Sequence, residues 1–176
     1  MTMAPRIRKF VLTAHVTFSV GWLGAVAAFL AFAVVGMTSE DSQTVRGAYL
    51  VMEPAAWFVL IPLALASLLT GLIQSLGTSW GLFRHYWVVF KLLINLLATI
   101  VLLMYMETFR VLADVAGDPR ADLGDVRSAS PMLHAFAALL LLLVATTLAV
   151  YKPRGLTPYG RRRLTPRADR GLDARA

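Results

Sequence analysis

Four long stretches of the chain are almost free of charge, and the charged residues gather between and beyond them. The first stretch runs from about Phe10 to Val35 and holds no charge at all. The second runs from about Ala48 to Leu76, the third from about His85 to Met106, and the fourth from about Pro131 to Tyr151. A helix needs about 20 apolar residues to cross the roughly 30 Å hydrocarbon layer, and each stretch is long enough. The pattern therefore predicts an all-α membrane protein: a four-transmembrane-helix bundle over residues 1–151, followed by a basic flexible tail over residues 152–176.

Local signals refine the ends. Ser128-Ala129-Ser130-Pro131 reads as a helix start, with serine caps and a proline near the first turn. Pro54 suits a first turn of the second span, whereas Pro62 is expected to kink that span and free a carbonyl. Ala31-Phe32-Ala33 resembles a signal-peptide cleavage site, but the apolar stretch far exceeds the 7–15 residues of a signal core, so an uncleaved helix is expected.

Composition agrees with this picture. The 176 residues are 58% hydrophobic and 15% charged, with a mean hydropathy of +0.67. That is more apolar surface than one small soluble core can bury, so the surplus faces lipid. There is no cysteine, which excludes disulfides and thiolate metal sites.

Charge supplies orientation. The net charge of +7 comes from basic residues concentrated at the two termini beside apolar runs, a pattern that indicates topology and anionic lipid headgroups, with no nucleic acid partner. Arg6, Arg8 and Lys9 precede the first span, Arg84 lies in the second connection, and eight Lys or Arg against two Asp fill residues 152–176. Residues 37–47 and 107–130 are net acidic. Both termini and the 77–85 turn are thus expected in the cytoplasm, for a multi-pass protein of the inner (cytoplasmic) membrane. The tail is expected to rest on lipid or to contact a membrane or cytoplasmic protein partner.

Polar groups inside spans are costly and mark candidate sites. His15 lies six residues past Lys9, roughly 9 Å along the helix at 1.5 Å per residue, and Trp22 shares its face seven residues on. Lys91 lies seven residues past Arg84, with Asn95 one turn further. Ser67, Gly71 and Gln74 form a stripe on the second span. Three stripes in one half of the bilayer are expected to converge on one internal site. His15 suits a metal or haem-iron ligand, a proton carrier or an interhelical hydrogen-bond partner. Lys91 suits a partner for a bound carboxylate, a second ligand, or a side chain that snorkels to the headgroups. Ser67, Gln74 and Asn95 also serve as interhelical glue.

A second polar set lies toward the outer face: Met52, Glu53, Met104, Met106, Glu107 and His134. Thioether and imidazole groups together suit copper, with His134, Met104 and Met106 as ligands. Methionine packing and interfacial carboxylates account for the same residues without a metal. His85 reads as part of an aromatic belt with Tyr86 and Trp87.

The segment His15-Val-Thr-Phe-Ser-Val-Gly-Trp22-Leu-Gly24 resembles the opening of the copper-resistance-D-like (CopD) membrane proteins. It also resembles the first helix of the HemJ-type protoporphyrinogen oxidases, four-span membrane proteins that bind haem b. Tyr86-Trp87-Val-Val-Phe-Lys91-Leu-Leu-Ile-Asn95 resembles the lysine-containing helix of that second family. The overall plan, with Tyr151-Lys-Pro-Arg-Gly155-Leu-Thr at its end, is similar to a wider bacterial group of four-span integral membrane proteins without an assigned activity. The HemJ resemblance implies haem b as cofactor, His15 as axial ligand and Lys91 at the same site. Where HemJ proteins carry arginine and tyrosine near the end of the first helix, this chain has Phe29-Leu-Ala-Phe-Ala-Val, so the oxidase activity itself is not carried over.

Two functional expectations follow. One is a haem- or metal-binding redox protein with His15, Trp22, Gln74, Lys91 and Asn95 around the cofactor. The other is a non-catalytic membrane subunit whose polar stripes fix helix packing. A proton pathway on His15 and Lys91 is a weaker third, since the short halves show no inverted repeat. No Ser-His-Asp arrangement or carboxylate pair within the spans points to hydrolysis.

Overall fold

The computed structural model describes residues 3–78, 80–122, 124 and 127–164. Four helical segments long and apolar enough to cross a membrane account for most of these residues, and there is no strand among them. Helix α1 spans Pro5–Thr38. The second span is α2 (Ser42–Ala55), a π-helical turn (Ala56–Leu60) and α3 (Ile61–Leu76) in unbroken succession. Helices α4 (Tyr86–Gly117) and α5 (Ala129–Tyr151) complete the bundle, and a short α6 (Pro158–Leu164) follows.

The connections between spans cover residues 39–41, 77–85 and 118–128. Short links force consecutive helices to run antiparallel side by side. Accordingly α1 packs on α2, α3 and α5, and α4 packs on α2, α3 and α5, which closes a ring in chain order. Arg6, Arg8, Lys9, Arg84 and Lys152 all lie at one end, the basic end.

Every span is longer than its apolar stretch. The basic residues Arg6, Arg8 and Lys9 form the first turns of α1, with Pro5 at its start, where a missing N–H leaves nothing unpaired. Helix α2 begins at Ser42 because the Asp41 carboxylate accepts from Thr44 N–H (2.9 Å) and from the Thr44 hydroxyl (2.6 Å). Pro54 therefore stands at the end of α2 and not in a first turn. The turn between Pro54 and Pro62 widens to π geometry, with Ile61 N–H reaching Ala56 O.

Helix α4 continues past Met106 to Gly117, beyond the expected end. The extension is amphipathic: Phe109, Leu112, Ala113 and Ala116 are buried, while Glu107, Arg110 and Asp114 pair with one another on the exposed side. Arg46 of α2 closes its far end by donating to Ala116 O (2.9 Å), Asp118 O (2.6 Å) and Ala121 O (2.9 Å). Arg127 likewise donates to Met37 O and Ser39 O at the end of α1. The arginines on this side thus satisfy helix-end carbonyls that have no intrahelical donor.

Inside the ring lie Trp22, Val26, Phe29, Ala33, Tyr49, Met52, Leu60, Phe109 and Leu112. Phe29 and Phe109 meet edge to face with centroids 5.5 Å apart. Outside it, large apolar side chains such as Phe10, Phe58, Leu69, Phe90 and Val150 are exposed, which is stable only against lipid tails.

The expectation of a wholly flexible tail needs correction over residues 155–164. Tyr86 N–H donates to Gly155 O (3.3 Å) and Thr157 N–H to Arg84 O (3.0 Å). The Thr157 hydroxyl donates to Phe83 O (2.5 Å) and accepts from Gly160 N–H (3.0 Å). Backbone pairing with the 83–86 segment, which composition does not reveal, holds α6 against the basic end. Residues 165–176 lie outside the described residues.

Candidate functional site

On α1, Leu12, His15, Ser19 and Trp22 recur at steps of three and four, so they share one face. The same spacing groups Ser67, Gly71 and Gln74 on α3, with Thr78 just past its end, and Trp87, Lys91 and Asn95 on α4. Because α1, α3, α4 and α5 surround the same interior, these faces line one cavity of about 700 Å³ that reaches the basic end. All the residues expected at the site, His15, Trp22, Gln74, Lys91 and Asn95, line it.

His15 is buried and bridges three helices. Its Nδ1 lies 3.2 Å from Thr70 Oγ1. The Thr70 hydroxyl donates to Ala66 O (2.6 Å), so its oxygen accepts, and His15 Nδ1 carries the proton. Nε2 then holds a lone pair, and Lys91 Nζ donates to it from 3.3 Å. Lys91 is accordingly turned inward and does not snorkel. Gly71 faces the imidazole so closely that a Cβ there would lie 3.0 Å from His15 Cε1. The glycine lets the Cε1 edge of the ring approach α3 closely.

One turn deeper, Ser19 and Ser67 share a hydrogen bond of 2.8 Å, which joins α1 to α3 in the expected gluing role. Asn95 is buried at this level, and Trp22 forms the floor. One turn nearer the basic end are Gln74 and Trp87. Gln74 Oε1 and Trp87 Nε1 are both buried with no hydrogen-bond partner. At the mouth stand Arg8, Lys9 and Lys152, and Lys152 also lies over the Trp80 ring at 5.4 Å. The charged lining residues, Arg8, Lys9, Lys91 and Lys152, are all cations, and among the described residues no Asp or Glu lines the cavity.

The outer set does not assemble. Met104 is 75% exposed toward lipid whereas Met106 is buried, because residues two apart on a helix point to opposite sides. His134 Nδ1 donates to Ser130 O (2.8 Å), and its ring lies 4.3 Å from that of Tyr105, whose hydroxyl is 2.8 Å from Ser130 Oγ. His134 and Met52 line a separate apolar cavity of about 330 Å³ with Phe29, Tyr105 and Phe109. Glu107 is paired with Arg110. Among the described residues no three His, Asp or Glu side chains gather as a metal site. His85 Nδ1 donates to Trp80 O (2.9 Å) beside the rings of Trp80 and Trp87.

Thr70 and Ser19 do not stand out in the sequence, and Trp87 reads there as a belt residue and not as part of the site. Thr70 and Ser19 fall next to stripe positions, and their spacing from Ser67 and His15 is the signal that marks them. Trp87 sits one turn before Lys91 and reads equally well as an interfacial residue.

Comparison with models of known protein families, with curated proteins and with solved structures finds no match.

Proposed function

We propose that this multi-pass membrane protein binds haem b in the basic-end cavity and acts as a haem-dependent redox protein of the cytoplasmic membrane. The observation that carries this reading is the state of His15. Thr70 accepts from its Nδ1–H, and Nε2, which meets Lys91 Nζ at 3.3 Å, lies in the wall of a large cavity. A histidine that ligates iron needs that tautomer, with its other nitrogen held by a hydrogen bond of this kind.

The donor set fits the group. His15 would hold the iron, with Gly71 leaving room beside the ring. Lys91 now occupies the position facing Nε2, and its flexible stem would turn aside toward the acidic edge of the cofactor. Trp22 and the leucines supply apolar walls, and Asn95 and Gln74 a polar side. Bound haem supplies one-electron chemistry, tuned by the axial ligand and by burial. The excess of Lys and Arg supports a cytoplasmic placement of the basic end, where Arg162 of α6 rests on anionic headgroups.

The test is an absorption spectrum with haem analysis on detergent-purified protein after haem supplementation. A Soret band that is lost in His15→Ala supports the reading, and no Soret band in the unmodified protein removes it.

The docking of residues 155–164 on the 83–86 turn favours a second role, a non-catalytic subunit that presents its basic end to a partner. Deleting residues 155–176 and repeating a pull-down distinguishes the two: under the haem reading the deletion leaves haem content unchanged.

A further inference from the structure

We infer that Trp87 and Gln74 form a carboxyl-binding subsite in the basic-end cavity, one turn on the mouth side of His15, so that the cavity selects a ligand that carries an acid group. This rests on the haem reading for the identity of the ligand, but its observations are separate from those at His15.

Trp87 is only 9% exposed, and its indole N–H has no partner. A buried donor left unmade costs about 1–3 kcal/mol, so an orphan facing a cavity points to an acceptor on whatever fills it. Gln74 Oε1 is the complementary orphan, an acceptor with no donor. Trp87 precedes Lys91 by one helical turn on α4, and Gln74 follows Thr70 and Gly71 by one turn on α3. Since His15 touches both Thr70 and Lys91, the two orphans lie on the mouth side of His15 at matching depth.

A carboxyl group answers this pair. One carboxylate oxygen accepts from Trp87 N–H, and the Gln74 amide, turned over so that its NH2 takes the place of Oε1, donates to the other. The surrounding charge has one sign: Lys91 lies on one side, Arg8, Lys9 and Lys152 at the mouth, and among the described residues no carboxylate lines the cavity. An uncompensated cation within the hydrocarbon layer is costly, so Lys91 also calls for an anion from outside the chain. The edge of haem b that carries its two carboxylates fits this wall, with the apolar remainder toward Trp22.

The experiment is a binding titration of detergent-purified protein with three probes: haem b, its dimethyl ester and metal-free protoporphyrin IX. Absorbance and quenching of tryptophan fluorescence are the readouts. The unmodified protein is expected to bind the two diacids about tenfold to a hundredfold more tightly than the diester, the range of one lost hydrogen bond to a charged group. Trp87→Phe is expected to lose that preference while keeping the His15-ligated haem spectrum, and Gln74→Leu to reduce it, which covers the case in which Trp87→Phe fails to fold. Equal affinity for diacid and diester in the unmodified protein overturns the subsite. Haem bound without a His15-dependent spectrum, but with the diacid preference intact, overturns the ligation and leaves the subsite standing. Binding of none of the three probes overturns both.

Discussion

Lys91 Nζ lies 3.3 Å from His15 Nε2 and so joins α4 to α1 within the membrane. Among the described residues, Lys91 is the one cation deep in the cavity, and no acidic residue lines it. A polar contact of this kind between two ligand-binding residue types is poor glue, since it leaves the lysine charge without a counter-ion. It is a suitable resting state for a site whose ligand brings the anion and takes the imidazole lone pair.

Gly71 sets how closely the imidazole approaches α3. An added methyl would meet His15 Cε1 at 3.0 Å, and the ring would shift by a few tenths of an ångström. Gly71→Ala is expected to weaken haem binding about tenfold, equivalent to about 1.4 kcal/mol, with little change in bundle stability because alanine favours the helix. A haem titration beside a thermal melt checks it, and unchanged affinity would show that the fit at Gly71 is irrelevant to the site.

Gly36 fills the same role for packing at the other end of α1. A Cβ there would lie 2.8 Å from the Tyr49 ring, which is fully buried and has nowhere to move. Overpacking costs about 1–3 kcal/mol, more than the gain of up to about 1 kcal/mol from helix propensity. Gly36→Ala should therefore lower the unfolding midpoint in detergent, whereas Gly24→Ala, with open space around it, should not. Adding Tyr49→Leu to Gly36→Ala should recover part of the loss.

Arg46 holds three carbonyls at the end of α4 with one planar fork. Arg46→Gln is expected to cost about 1.5 kcal/mol, the lower end for bonds to a charged donor, because the site is partly exposed. Arg46→Lys should restore less than half, since an ammonium is a point donor without the fork geometry. Hydrogen exchange of the amides in residues 110–117 measures the fraying directly. No change in exchange would mean that the packing of Leu112 and Ala116 alone holds this end.

Thr157 ties the post-span segment to the bundle through Phe83 O and Gly160 N. Thr157→Val removes both bonds, and Gly160→Ala would drive a methyl into the Arg84 carbonyl. Both variants are expected to speed tryptic cleavage after Arg154 and Arg161 several-fold with haem binding unaltered. Equal cleavage rates would show that the docking does not protect this segment.

The sequence made the spans legible because uncharged runs of this length have no other stable home. Their ends were less legible. Arg6 to Lys9 and Glu107 to Asp114 read as flanking charge, yet both are helical: the outer surface of a helix tolerates charge once its inner face, Phe109 and Leu112 here, is packed. The converging stripes at His15, Gln74, Lys91 and Asn95 followed from helical spacing. What spacing could not give was the hydrogen-bond state: that Thr70 holds Nδ1, that Lys91 turns inward, and that Trp87 N–H is left without a partner all depend on the relative rotation of neighbouring helices. The outer copper set fails for a reason present in the sequence itself, since Met104 and Met106 are two residues apart and cannot face one centre.

The most direct measurement is imidazole rescue of His15→Gly in the haem-supplemented, purified protein. The account predicts that the variant loses the histidine-ligated spectrum and regains it when free imidazole enters the space vacated beside Gly71. A His15→Gly spectrum identical to that of the unmodified protein would contradict it, since the ligand would then be another residue or the haem would be bound elsewhere.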